Sequence, residues 1–183
     1  LEIQLGGGGV LAFDALSFNI GSQISDPEGL ASSPEVWPAK PLDALLELRP
    51  RIEAEIALTG QCPALVVAGG GQSAHELAAA LCGLCERQGV MPRIVLVHPH
   101  RDLNWAPARA GKALVSDLAR RGVEFHAGRV SGRAPGHCQL ADGPRLDCDH
   151  LVLATGLEGP DLVRGLGLAM DGAGRLVTTA TLQ

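Results

Sequence analysis

"ALVVAGGGQSAHELAAALCGLCERQG", residues 64–89, decides the fold. The apolar run from Ala64 to Ala68 reads as a buried strand, the glycines as a tight turn, and the Ala- and Leu-rich stretch as a helix ending near Gly89. Strand, turn and helix in this order form the fingerprint G-x-G-x-x-G, with Gly69 and Gly71 at its first two positions and Ala74 at the third. Each position has a physical job. Gly69 allows a sharp turn, Gly71 removes a side chain where a pyrophosphate would approach, and the small Ala74 lets helix and strand pack closely. The phosphates would meet the helix start at Gln72, where free N–H groups and the macrodipole favour negative charge.

Downstream, "RIVLV" (93–97) supplies a second strand and completes a βαβ unit, which turns a weak motif into a strong one. The residue at the end of this strand chooses the cofactor, because an acid there binds the ribose hydroxyls of NAD and a basic neighbour accepts a 2′-phosphate. The position falls at His98, followed by Pro99, His100 and Arg101, with Asp102 the nearest acid. The basic residues lean towards NADPH; as plain solvated loop residues they would leave NADH equally open. Residues 107–128 then read as an amphipathic helix, with Ala113, Leu114 and Leu118 on one side, running into the strand "VEFHA". "GRVSGRA", "HCQLAD" and "RLDCDH" read as an antiparallel meander turning at Pro135-Gly136 and Asp142-Gly143, and "HLVLATG" as a buried closing strand. The fold class expected is α/β: a Rossmann-like FAD/NAD(P)-binding fold with a parallel sheet flanked by helices and an antiparallel β-meander.

Upstream, a helix is expected from about Leu42, with Pro50 starting, kinking or breaking part of it. Residues 22–41 are rich in Pro, Ser and Gly and read as a long connection without periodicity. Residues 1–21 read as a hairpin turning at Gly6–Gly9, which no helix follows, so a turn is preferred to a phosphate loop. Its second run, "FDALSFNIG" (13–21), rhymes with "CDHLVLATG" (148–156) and is expected to end in a similar buried strand.

Composition limits the partners. A net charge of −5, no Tyr and only 3% aromatic residues argue against a nucleic-acid or anionic-membrane partner, since neither a basic face nor stacking rings are on offer. No run approaches the roughly 20 apolar residues that span a bilayer, and the first residues lack a secretion pattern, so a cytoplasmic location is expected. Five cysteines, odd in number and unevenly placed, do not suggest a disulfide framework.

The combined pattern resembles the FAD-dependent pyridine nucleotide–disulfide oxidoreductase superfamily, in which an NAD(P)H-binding domain is inserted into an FAD-binding domain of the same fold. The two rhyming stretches resemble the closing strands of those two domains. "LSFNIGS", the "AKP" linker, "ARRGVEFHAG" and "ATLQ" are most similar to NADH-dehydrogenase-like members, especially the oxidoreductase module associated with selenide, water dikinase. The resemblance implies residues 1–38 as a partial FAD-domain segment and linker, 39–157 as the NAD(P)H-binding domain, and 158–183 as the return to the FAD domain. The chain then reads as an internal fragment, inactive alone, of a parent that transfers hydride from nicotinamide to FAD and passes electrons to an unidentified acceptor such as a quinone. A homodimer through uncovered interdomain surface, and a non-catalytic module sensing NAD(P)H, are the other readings.

By the same resemblance the cofactor-binding residues are Gly69, Gly71, Gln72, Ala74, His98, Arg101, Thr155 and Gly156, with Gly21 on the FAD side. Glu76 takes the place of an acid facing nicotinamide and flavin, and is the candidate catalytic residue; its plain alternative is a first-turn acid that complements the helix dipole. Lys40 either points at the flavin or ends a linker. Cys82 and Cys85 form a CxxC without a second ligand pair, so packing thiols are favoured over a redox or metal site. His75 either approaches the pyrophosphate or, the favoured alternative, is solvated.

Overall fold

The computed structural model describes residues 1–99 and 105–181. The chain opens with a hairpin of β1 (Glu2–Gln4) and β2 (Val10–Ala12). Next come β3 (Gln23–Ile24), a single 3-10 turn at Leu30–Ser32 and β4 (Val36–Pro38). Three helix–strand steps follow: α1 (Asp43–Thr59), β5 (Leu65–Ala68), α2 (Gln72–Arg87), β6 (Ile94–His98), α3 (Ala108–Arg120) and β7 (Val123–Ala127). The meander is β8 (Val130–Ala134), β9 (His137–Leu140) and β10 (Arg145–Asp147), and the chain returns through β11 (His150–Leu153), β12 (Leu157–Glu158) and α4 (Asp161–Arg164).

β4, β11, β5, β6 and β7 lie side by side, in that order and all parallel, as the main sheet. Parallel strands need cover on both faces, and for that reason β5 and β11 are buried along their length and, apart from His150 at the start of β11, apolar. From β5 the chain first builds outward through β6 and β7, then returns to its other flank with β11. The order therefore reverses between β5 and β11, and the crevice outside their carboxyl ends is where α/β sheets bind ligands. α2 seals the sheet beneath this crevice through Ala74, Ala78, Leu81 and Cys85, all buried.

At the opposite, amino end of β11, His150 is buried between α1 and β4. His150 Nδ1 lies 3.2 Å from Trp37 Nε1 and 3.1 Å from the Glu35 carboxylate, and its Nε2 lies 3.1 Å from the Glu55 carboxylate. A polar group at this depth costs little only because both ring nitrogens are satisfied.

Four expectations change. Residues 13–21 form no strand, and Asp14 to Ser17 and Asn19 to Gly21 are exposed, because no second layer covers them; the rhyme with 148–156 is one of sequence only. Pro50 sits inside a continuous α1, on the exposed side of the helix, where its missing N–H and its ring disturb no core contact. Residues 22–41 are no bare connection: β4 is an edge strand of the main sheet, and β3 pairs antiparallel with β12. In α3, Leu118 is buried and Leu114 half-buried as expected, but Ala113 is exposed.

Candidate functional site

Gly69 follows the end of β5, and its N–H still donates to the Val97 carbonyl at 2.8 Å, so the sheet holds the turn to its first residue. A Cβ on Gly69 would lie 2.1 Å from the Ala154 carbonyl oxygen, and its φ of +147° is one that side chains disfavour. Glycine here is what lets β5 and β11 converge at the crevice. Gly71 is different in kind. A Cβ there would meet nothing within 4 Å and φ is an ordinary −81°, so the side chain is absent for the sake of space that the protein itself leaves open.

The turn is held from outside by two rings. Trp105 Nε1 donates to the Gly70 carbonyl at 2.8 Å, and His75 Nδ1 donates to the Gly71 carbonyl at 2.9 Å. His75 is fully buried rather than solvated, with its ring 5.3 Å from that of Trp105 and 6.0 Å from that of His98. With these carbonyls engaged on the protein side, the turn is fixed while the first N–H groups of α2 lack intrahelical partners. Gly71, as N-cap, offers no side-chain cap, and the first turn contains no acid. This is the arrangement that accepts an anion.

Two hollows meet over the turn, with Gly70, Gly71 and Thr155 lining both. The larger, about 660 Å³, lies between the turn, His98, Trp105, Arg129 and the segment Ser25–Leu30. Its size falls within the range of pockets that hold small molecules and cofactors. The smaller, about 480 Å³, is walled by Lys40, Leu45, Gln72, Glu76 and Gly156. Glu76 lies in the second turn of α2, past the reach of the helix terminus, and accepts from Gln72 Nε2 at 2.7 Å. It is no first-turn dipole acid.

Of the residues singled out from sequence, Gly69, Gly71, His98 and Thr155 line the larger hollow, and Gln72, Glu76, Gly156 and Lys40 the smaller. Ala74 is buried under the turn and packs rather than lines. Gly21 lines neither hollow and is exposed. Arg101, with His100 and Asp102, lies outside the described residues. Sequence reasoning missed Trp105, Arg129 and Ser25–Leu30. The last is shaped by Asp26, whose carboxylate accepts from the Leu30 and Ala31 N–H groups at 2.9 and 2.7 Å, while Thr155 Oγ1 donates to the Ser25 carbonyl and ties the segment to the end of β11. An Asp-Pro-x-Gly turn was the available signal. Among the described residues no His, Cys, Asp and Glu group is disposed to hold a metal ion.

The family described as pyridine nucleotide-disulphide oxidoreductase matches residues 32–183. No curated protein matches the chain. Among solved structures, an FAD-dependent pyridine nucleotide-disulphide oxidoreductase from Desulfovibrio vulgaris is similar at 25% identity and TM-score 0.70, over 97% of this chain and 45% of its own. The ferredoxin reductase for the CYP199A2 system of Rhodopseudomonas palustris shares the fold at 21% identity and TM-score 0.73, over 93% of this chain and 41% of its own. NDH2 from Plasmodium falciparum, solved with NADH, does so at 12% identity and TM-score 0.73, over 89% and 39%. The chain thus spans less than half the length of these relatives.

Proposed function

The chain belongs to the pyridine nucleotide-disulphide oxidoreductase family, and from that premise we propose that its double hollow binds NAD(P)H for hydride transfer to FAD. The observation that carries the reading is Gly71: the turn of a βα unit gives up a side chain where nothing in the protein would touch it. A pyrophosphate fits that cradle, with the N–H groups at the start of α2 as donors and no competing acid in the first turn. The adenosine half then lies in the larger hollow beside His98, Trp105 and Arg129, and the nicotinamide half in the smaller, beside Glu76. Arg129 is exposed and makes no ion pair among the described residues, which favours a nucleotide carrying a 2′-phosphate.

When bound, the flavin would supply the two-electron acceptor chemistry, and this chain's residues bind and orient the nucleotide. Gln72 holds the Glu76 carboxylate along the helix face towards the smaller hollow, Lys40 adds a positive charge to its lining, and Thr155 joins the two hollows. The nucleotide-binding domain is taken as residues 39–157, with β4 (Val36–Pro38) adding an edge strand to its sheet from just outside that boundary. The final acceptor, a quinone or another, is set by parts of the flavoprotein that recognise it.

The test is anaerobic mixing of the FAD-loaded flavoprotein containing this chain with NADH and with NADPH. Stoichiometric bleaching of the flavin absorption is the expected result. Tight nucleotide binding with no bleaching by either cofactor would instead favour the sensing module.

A further inference from the structure

The sequence pairs Cys85 with Cys82 in a CxxC, but the structure gives Cys85 another neighbour. Cys62 lies in the short loop between α1 and β5, and its Sγ is 3.0 Å from that of Cys85 in the last turns of α2. Both thiols are buried, yet Cys62 adjoins the exposed Gln61 at the protein's edge. A disulfide needs sulfurs about 2.05 Å apart, so a closure of about 1 Å separates this contact from a bond. We propose that Cys62 and Cys85 are a redox modification site, closed to a disulfide by hydrogen peroxide, that staples the βα unit carrying the Gly-rich turn.

The two sulfurs have different roles. The hydrogen bond received from Cys85, together with nearby Arg93, lowers the Cys62 thiol below its ordinary range, and giving that hydrogen bond raises Cys85. Cys62 is therefore the nucleophile and Cys85 the resolving thiol. The Cys62 thiolate attacks one peroxide oxygen, the O–O bond breaks, and the departing hydroxide takes a proton to become water, leaving a sulfenic acid. Cys85 sulfur then attacks Cys62 sulfur, the S–S bond forms, and the sulfenic hydroxyl leaves with the Cys85 proton as a second water. Two thiols lose two electrons and one peroxide becomes two waters.

The loop so closed runs from Cys62 to Cys85 and contains β5, the Gly69–Gly71 turn and most of α2. Cross-linking it removes freedom from the unfolded chain and raises stability. Cys62 precedes β5 while Gly69 follows it, so the staple closes the end of the unit opposite the hollow. The inference stands apart from the nucleotide reading.

The experiment treats the reduced chain with hydrogen peroxide, blocks remaining thiols, and maps peptides after cleavage following Glu55, Glu76 and Glu86, which separates Cys62 from Cys82 and Cys85. The expected result is a linked 56–76/77–86 peptide pair, two of the five thiols lost, reversal by dithiothreitol, and a higher melting temperature before reduction. The link should persist in Cys82→Ser and vanish in Cys85→Ser. A Cys82–Cys85 or Cys138–Cys148 link in its place, a link that survives Cys85→Ser, over-oxidised Cys62 without a link, or five intact thiols would overturn the proposal. Fragmentation of the linked pair from the unsubstituted chain, which places the bridge on Cys85 or on Cys82, decides even where a serine variant does not fold.

Discussion

At the scale of single residues, Gly69 and Gly71 of the turn answer to different forces, and substitution separates them. Gly69→Ala forces a Cβ against the Ala154 carbonyl at an unfavourable φ, and should cost on the order of 3 kcal/mol of stability in a urea melt. Gly71→Leu has open space and ordinary backbone, so the melt should fall by no more than about 1 kcal/mol, the preference of an N-cap for glycine over leucine. Trp105 acts on the same turn through one N–H. Trp105→Phe keeps the ring and loses the bond to Gly70, and should weaken nucleotide binding about fivefold, a loss of about 1 kcal/mol, read by calorimetric titration. The glycine positions were legible in sequence because a fingerprint is local. Trp105 was not, since the carbonyl it holds lies 35 residues away and only the fold brings them together.

At the scale of elements, the strand–turn–helix core could be read because its apolar period and its punctuation agree with its tertiary role. The strand expected at 13–21 failed for the converse reason: an apolar run becomes a strand only where a neighbour completes its hydrogen bonds. The same dependence explains β4, three residues long and hidden in a Pro- and Ser-rich stretch, which is a strand because β11 pairs with it. β4, β11 and α1 are joined by His150. His150→Leu strands Trp37 Nε1 and Glu55, both partly buried, and should lower stability by about 1–3 kcal/mol in denaturant unfolding. A melt equal to that of the unsubstituted chain would mean that water replaces the imidazole without loss.

At the scale of the whole molecule, the core is confined to one stretch of the chain. No residue before Ile24 belongs to it, and no hydrogen bond among the described residues joins 1–21 to the rest. Leu1, Leu5, Val10, Leu11 and Ile20 are exposed on this segment. Removing residues 1–21 should therefore shift unfolding by less than about 0.5 kcal/mol. No helix among the described residues is long and apolar enough to cross a membrane. The central claim is that the turn between β5 and α2 seats a dinucleotide, and titration of NADH and NADPH into this chain and its Gly71→Leu variant, alongside thermal melts of both, tests it most directly. The account predicts saturable binding by the unsubstituted chain, lost in a variant that still melts cooperatively and close to the same temperature. Equal binding by a fully folded variant would contradict it, because the space left at Gly71 would then have no bearing on the ligand.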